Sequence, residues 1–202
     1  MQSVLDLTLI LLLVALACLV YVPALWGQFL FDDMLVVERV TYVRHSKNRD
    51  PATWDISKTA TWRGLWIQMI IGRHKRALAY WLFRRDMFVH DYKTFGWHAE
   101  NAAIHSVNTT AIYALLRFGY DMYSSFAGAL LFLAYPLAAS SVAYISGRSS
   151  SLCGMFYLLS LIAMLVGGWA WLLVPPLVYL GLMAKEEIVV LPVTFLLWWW
   201  LW

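Results

Sequence analysis

The chain has 202 residues, of which 62% are hydrophobic and only 13% charged, with a formal net charge of +3 and a mean hydropathy of +0.65. Globular chains run about 45–50% apolar and about 25% charged, so this composition excludes a soluble monomer and a disordered chain alike. What remains is a protein that hides its apolar surface in a lipid bilayer, crossing it several times.

A membrane-spanning helix takes about 20 mostly apolar residues, within a range of about 17–25. The first such segment covers about 4–25. It has no basic leader and no small-residue cleavage site, so it reads as a retained anchor rather than a removed signal. Between Trp26 and Gly96 the chain changes character, holding 12 of the 15 Lys and Arg and 7 of the 12 Asp and Glu, with Pro51 in its polar middle. Inside this loop, 65–71 and 77–83 are short apolar runs, flanked by Arg73, His74, Lys75 and Arg76 and by Arg84 and Arg85. Runs of this kind are either interfacial helices lying on the membrane or helices packed on the protein itself.

Five further apolar segments follow, at about 97–118, 125–137, 152–166, 169–184 and 188–202. Residues 117–124 and 138–151 connect them, Gly167-Gly168 makes a tight turn, and Lys185-Glu186-Glu187 is a charged break. Several segments are shorter than a full span, which implies tilt, local thinning or re-entry. The tryptophans near the end of the last segment resemble an interfacial aromatic belt. The expected fold is all-α and integral to the membrane: one domain over 1–202, about six transmembrane helices, and a large first loop at 26–96 carrying interfacial helices. Cys18 and Cys153 lie inside apolar runs and offer neither a disulfide framework nor metal-ligand spacing. The basic residues form no separable domain, so nothing points to nucleic acid.

If every segment spans, crossing parity puts Asp32-Asp33, Arg148 and Lys185-Glu186-Glu187 at one membrane face, and Arg117 and Asp121 at the other. A carboxylate pair, an arginine and a lysine at one face suit a charged head group. In the second segment, His98, Asn101, His105 and Asn108 are spaced 3, 4 and 3 residues apart, an arc of roughly 80° on a helix. A polar stripe in a membrane helix faces the bundle or a water-filled cavity, as part of a groove or as hydrogen-bonding glue between helices. His98 and His105 stand about 10.5 Å apart along the axis, too far to share one ion unaided. Each charged group also has a structural alternative. Asp32-Asp33 suits the cap of a following helix, and Gly147-Arg148-Ser149-Ser150 suits a turn leading into a serine cap. Arg148 suits snorkelling to lipid phosphates, and Lys185-Glu186-Glu187 suits a solvated hairpin.

In order along the chain stand Phe29-Leu30-Phe31-Asp32-Asp33, Arg76-Ala77-Leu78, Trp97-His98 with Asn101 and His105, Pro136 with Val142 and Gly147-Arg148, and Ala184-Lys185-Glu186 with Pro192. This series resembles the membrane half of the GT-C glycosyltransferases, especially the tetratricopeptide-repeat O-mannosyltransferase branch and its prokaryotic relatives. The resemblance implies that the first loop faces the lumen or periplasm and carries a catalytic acid. It implies a sugar donor on a polyprenyl phosphate, and an acceptor that is commonly a Ser or Thr hydroxyl of a protein. Carried over by position, Asp33 or Asp32 is the general base, or the ligand of a divalent metal ion in metal-using relatives, and Asp33 is the favoured one of the pair. Arg148, Lys185 and Arg76 then hold the lipid-linked phosphate, with Glu186 beside them. The chain departs from the family pattern at Tyr135-Pro136, where His-Pro is frequent, and at Ser140, where an acid is frequent.

Counting positive charges would put the 26–96 loop in the cytoplasm. That rule is counted over loops of up to about 60 residues, and this loop is longer, so we follow the resemblance and expect the active face to be extracytoplasmic. The expected function is a membrane glycosyltransferase. Two alternatives stand beside it. The first is a non-catalytic membrane subunit, or a relic of the fold, that binds lipid or a partner helix in the same groove. The second is a component of lipid-carrier transport. The family enzymes continue with further helices and usually a soluble repeat domain, so a chain of this length is expected to be a compact form, a split subunit or such a relic.

Overall fold

The computed structural model describes residues 2–45 and 76–201. The 65–71 run and its neighbours Arg73, His74 and Lys75 lie outside them. Among the described residues the chain is all-helical. In order come α1 (Gln2–Tyr21), a 3-10 turn (Val22–Trp26), α2 (Asp32–His45), α3 (Ala77–His90), α4 (Thr94–Leu116), α5 (Met122–Ala134), α6 (Pro136–Ala143) and α7 (Arg148–Val166). A second 3-10 turn (Gly168–Leu173), α8 (Val174–Ala184), a third (Glu186–Val190) and α9 (Leu191–Leu201) follow.

Local chemistry explains most of the boundaries. Pro23, Pro136 and Pro175 each stand in the first turn of their helix, where the missing N–H costs nothing. Asp121 caps α5, its carboxylate accepting the Tyr123 and Ser124 amides at 2.9 and 3.1 Å and the Ser124 hydroxyl at 2.5 Å. Gly167 and Gly168 have φ values of 73° and 56°, a left-handed pair that glycine alone adopts cheaply, and the chain reverses there between α7 and α8.

α4 is the central element, packed against α1, α3, α5, α6 and α7. α1 runs antiparallel to it. Asp6, near the start of α1, accepts hydrogen bonds from Tyr113 and, at 3.0 Å, from Arg117 at the end of α4. At the opposite end Trp26 packs on Phe95, with ring centroids 5.6 Å apart. Leu13 of α1, Tyr113 of α4 and Ala129 of α5 form one buried cluster, and Ala17, Tyr21, Leu133 and Val142 another. Across the molecule, Leu78 and Trp81 of α3 pack with Leu152, Cys153 and Phe156 of α7 and with Ile188.

Two segments, Val4–Trp26 and Arg148–Val166, are long and apolar enough among the described residues to cross a membrane. α4 is as long, but its polar stripe lowers its hydropathy. Three expectations are refined. Within the 26–96 loop, Asp32 opens α2, the following helix that Asp32-Asp33 suited as a cap. The 138–151 connection contains α6, opened by Pro136. Of the two readings of 77–83, packing on the protein itself replaces the interfacial one: α3 is buried on two faces, Leu78 and Trp81 against α7, and Ala79, Phe83 and Met87 against Val37 and Val40 of α2.

Candidate functional site

A cavity of about 760 Å³ opens where α2, α3, α6 and α7 meet the Lys185 segment. Its charged lining is Asp32, Arg76 and Lys185. Ser140, Ser141, Ser146, Ser149 and Ser150 supply hydroxyls, and Phe31, Tyr80, Phe83 and Tyr144 supply rings. Thus three of the sequence-derived site residues, from positions 32, 76 and 185, do meet in one place, at the end of the bundle away from the Asp6–Arg117 pair. Phe31 and Arg76 both have positive φ, 43° and 63°. Left-handed backbone in a non-glycine residue costs energy and tends to mark sites where the surroundings dictate geometry.

The two cations are already engaged by acids of the third 3-10 turn. The Arg76 Nε lies 3.4 Å from Glu186. The Lys185 Nζ lies 2.5 Å from Glu187 and donates to the Ser150 hydroxyl at 3.0 Å. These acids are more than half exposed, so both pairs are solvent-screened contacts that an entering anion can displace cheaply.

The aspartates divide, but in the opposite sense to the expectation that favoured Asp33. They open α2, where successive side chains turn by about 100°. Asp32 faces the cavity. Asp33 is fully buried, and its two oxygens accept the Ser146 amide at 2.8 Å and the Leu30 amide at 3.2 Å.

Arg148 does not line the cavity. It is fully buried, paired through Nη1 with Asp86, donating from Nε to the Asn101 Oδ1 at 2.7 Å and from Nη2 to the Trp97 carbonyl at 2.9 Å. Its guanidinium also lies 5.1 Å from the Phe83 ring centre. A head group in the cavity therefore meets the backbone beside Arg148 rather than its charge. Asp86, which completes this pair, escaped sequence reasoning. The available clue was that a buried arginine needs a carboxylate, and Asp86 shares a helix face with the buried Ala79, Phe83 and Met87.

The polar stripe of α4 turns into the bundle, not into the cavity. Asn101 donates to the Tyr144 carbonyl at 2.9 Å and Asn108 to the Ser151 carbonyl at 2.9 Å. The His105 Nε2 meets the Tyr21 hydroxyl at 3.2 Å. His98 is buried against Gly27, and neither ring nitrogen has a partner among the described residues. Asn101, His105 and Asn108 are thus the hydrogen-bonding glue between helices, and His98 takes part, among the described residues, by packing alone.

For a divalent ion, the group of ligand-bearing side chains found among the described residues is Asp86, His90 and Glu100, whose atoms lie within 4.8 Å of one another. Arg85 and Arg148 already pair with both of its acids. Asp32 and Asp33 belong to no such group, and both Asp33 oxygens are taken by amides. The donor set around the aspartates therefore does not fit a metal ion.

Over the described residues, the fold and cavity define an all-helical protein with an apolar exterior and a charged, hydroxyl-rich pocket at the end of its bundle. The chain is similar to protein O-mannosyl-transferases. One, from Caenorhabditis elegans, is 29% identical over 161 residues, covering 76% of this chain and 22% of its own. The protein O-mannosyl-transferase TMTC1 of Homo sapiens and that of Mus musculus are each 27% identical over 154 residues, covering 75% of this chain. The chain thus spans about a fifth of the length of these relatives. No family model and no solved structure matches it.

Proposed function

We propose that the chain is the membrane core of a glycosyltransferase that moves a sugar, mannose in its relatives' names, from a polyprenyl-phosphate donor to an acceptor hydroxyl, a protein Ser or Thr. Its six apolar segments (α1, α4, α5, α7, the segment ending in α8, and α9) cross the bilayer, and the cavity opens on the extracytoplasmic side. The observation that carries this reading is the meeting of Asp32 with Arg76 and Lys185 in one cavity.

The chemistry follows from those three groups. The Asp32 carboxylate accepts the proton of the acceptor hydroxyl as its oxygen attacks the anomeric carbon. The bond from that carbon to the phosphate oxygen breaks, and the departing lipid phosphate gains negative charge. Lys185 and Arg76 stabilise that charge, a task for which charge-assisted bonds suit. The serine hydroxyls offer further partners to phosphate or sugar oxygens.

The test is sugar transfer in membranes expressing Asp32→Asn, which keeps the size and removes the proton acceptor. The expected loss is about 10²–10⁴-fold, the usual worth of general acid–base catalysis, with donor binding retained. Transfer at the wild-type level would remove Asp32 from the mechanism. Wild-type protein that binds the lipid phosphate but never transfers sugar, even with its partners present, would make it a non-catalytic lipid-binding subunit.

A further inference from the structure

The wall of the cavity between α6 and α7 contributes Tyr144, Ser146, Gly147, Ser149 and Ser150, yet most of the side chains holding it in place do not face the cavity. Its own backbone bonds are turn-like: the Tyr144 amide to Ser140, Gly147 to Tyr144, Arg148 to Ile145, and Ser150 and Ser151 to Gly147, with the Tyr144 carbonyl and the Ser146 amide also held from outside the segment. Two buried side chains from other helices grip it between those points. Asn101 of α4 donates to the Tyr144 carbonyl and accepts from the Arg148 Nε. Asp33 of α2 accepts the Ser146 amide.

We infer that Asn101 and Asp33 are positioning residues, which set where the Tyr144–Ser150 wall stands relative to Asp32. The inference rests on the cavity being the donor site. Residue type follows from the contacts. Position 101 must donate to a carbonyl and accept from a guanidinium at once, which a carboxamide does and a carboxylate does not. Asp33 sits one residue from Asp32 at the start of α2, and its second oxygen holds the Leu30 amide. One carboxylate therefore ties both the segment leading into Asp32 and the opposite wall. The spacing across the cavity is fixed from its two sides by a single group. Displacing reacting groups by about 1 Å costs about 10²-fold in rate, so a wall held by buried hydrogen bonds matters without touching the substrate.

The experiment compares amide hydrogen exchange and sugar transfer in wild type, Asn101→Asp, Asp33→Leu, which removes both acceptors at similar size, and, as control, Arg117→Gln at the far end of the bundle. Asn101→Asp keeps the acceptor for Arg148 but sets a carboxylate oxygen against the Tyr144 carbonyl. The expected result is exchange about tenfold or more faster over 144–150 in both variants, the worth of one lost bond to a charged or buried group, with α8 and α9 unchanged. In the same variants transfer falls through kcat, while binding of a short-chain polyprenyl phosphate stays within about threefold, since the cations are untouched. Unchanged exchange over 144–150 would overturn the inference. So would exchange raised across the whole bundle, which marks a general structural role. If wild type transfers no sugar, the proposed function fails, and the exchange pattern alone still decides whether these residues position the wall.

Discussion

Arg148→Ala should be among the most damaging single changes in this protein, and the structure says by how much. The guanidinium serves a fully buried carboxylate on Asp86, the Asn101 Oδ1 and the Trp97 carbonyl. Removing one member of a buried pair typically costs about 3–5 kcal/mol, because the survivor keeps its charge without its partner. Arg85, 3.0 Å from Asp86, remains to compensate in part, so the lower end of that range is the expectation. Stability of native proteins is only about 5–15 kcal/mol in total. Arg117→Ala removes a solvent-screened pair, Arg117 and Asp6, and should cost far less, because water screens an exposed pair.

The decisive form is a double-mutant cycle. Arg148→Met with Asp86→Leu removes both members of the closest pair together, so the Asn101 and Trp97 acceptors lose a donor and Glu100, 3.4 Å from Arg148, keeps Arg85 as its cation. The pair should therefore be more stable than Arg148→Ala by about 2 kcal/mol. Denaturant titration of protein in mild detergent measures each corner. Equal, small losses for Arg148→Ala and Arg117→Ala would refute the burial of Arg148, returning it to the role of a phosphate-facing or snorkelling arginine.

Three further outcomes are expected. Lys185→Ala should weaken binding of a polyprenyl phosphate about tenfold or more, the loss of one bond to a charged group, and Arg76→Ala should do the same to a lesser degree; a fluorescent lipid phosphate titrated into detergent-solubilised protein reads both. At Gly181 an added Cβ would overlap the Cδ1 of the fully buried Ile188 and lie 3.3 Å from the Phe156 Cβ. Gly181→Ala should therefore destabilise by about 1–3 kcal/mol, and Ile188→Val, which deletes that methyl, should recover most of the loss in thermal unfolding. The Ser124 hydroxyl, then the Ser124 and Tyr123 amides, hold the Asp121 carboxyl below its ordinary value. A lowered folded pKa gives stability that is full above the unfolded value, about 3.9, and lost as pH falls through the folded one. The stability gap between wild type and Asp121→Ala should thus narrow below about pH 4, and a gap that widens on acidification would contradict the cap.

The apolar segments were legible because the period and length of a helix in an apolar chain are local properties. Segment 4–25 corresponds to α1 and its turn, and 152–166 lies within α7. The Gly167-Gly168 reversal was legible for the same reason. α2 was legible only as the helix that Asp32-Asp33 could cap, because its apolar residues from Asp32 to His45 are too few and too mixed with charge to mark a span; it owes its helix to acids in its first turn, which favour a helix N-terminus, and to Val37 and Val40 packing on α3. The burial of α3 was legible only in part. Packing on the protein stood there only as one of two readings, because cations flank the run on both sides and resemble membrane anchors; in the structure Arg85 pairs with Asp86 and Glu100, and Arg76 with Glu186.

At the site, counting crossings brought distant charges to one end, but it could not tell a charge that faces the cavity from one that faces the protein. Asp32 and Asp33 differ only by a helical step, and which of them is free depends on an amide at Ser146, 113 residues further along the chain. Arg148 and Lys185 looked equivalent as cations. Arg148 is consumed by an acid 62 residues away on α3, while Lys185 pairs with Glu187, two positions on and largely exposed. The difference between a locked and an exchangeable cation here is thus the burial of its counter-ion. A buried acid locks the arginine in place, because separating them leaves a bare charge in a low dielectric. An exposed acid leaves the lysine exchangeable, because water screens what is lost. The same criterion assigns Arg76, whose Glu186 is exposed, with Lys185; Asp33 stands with Arg148 on a different ground, both its oxygens being taken by amides, so that the exchangeable groups line the cavity and the locked ones build its walls.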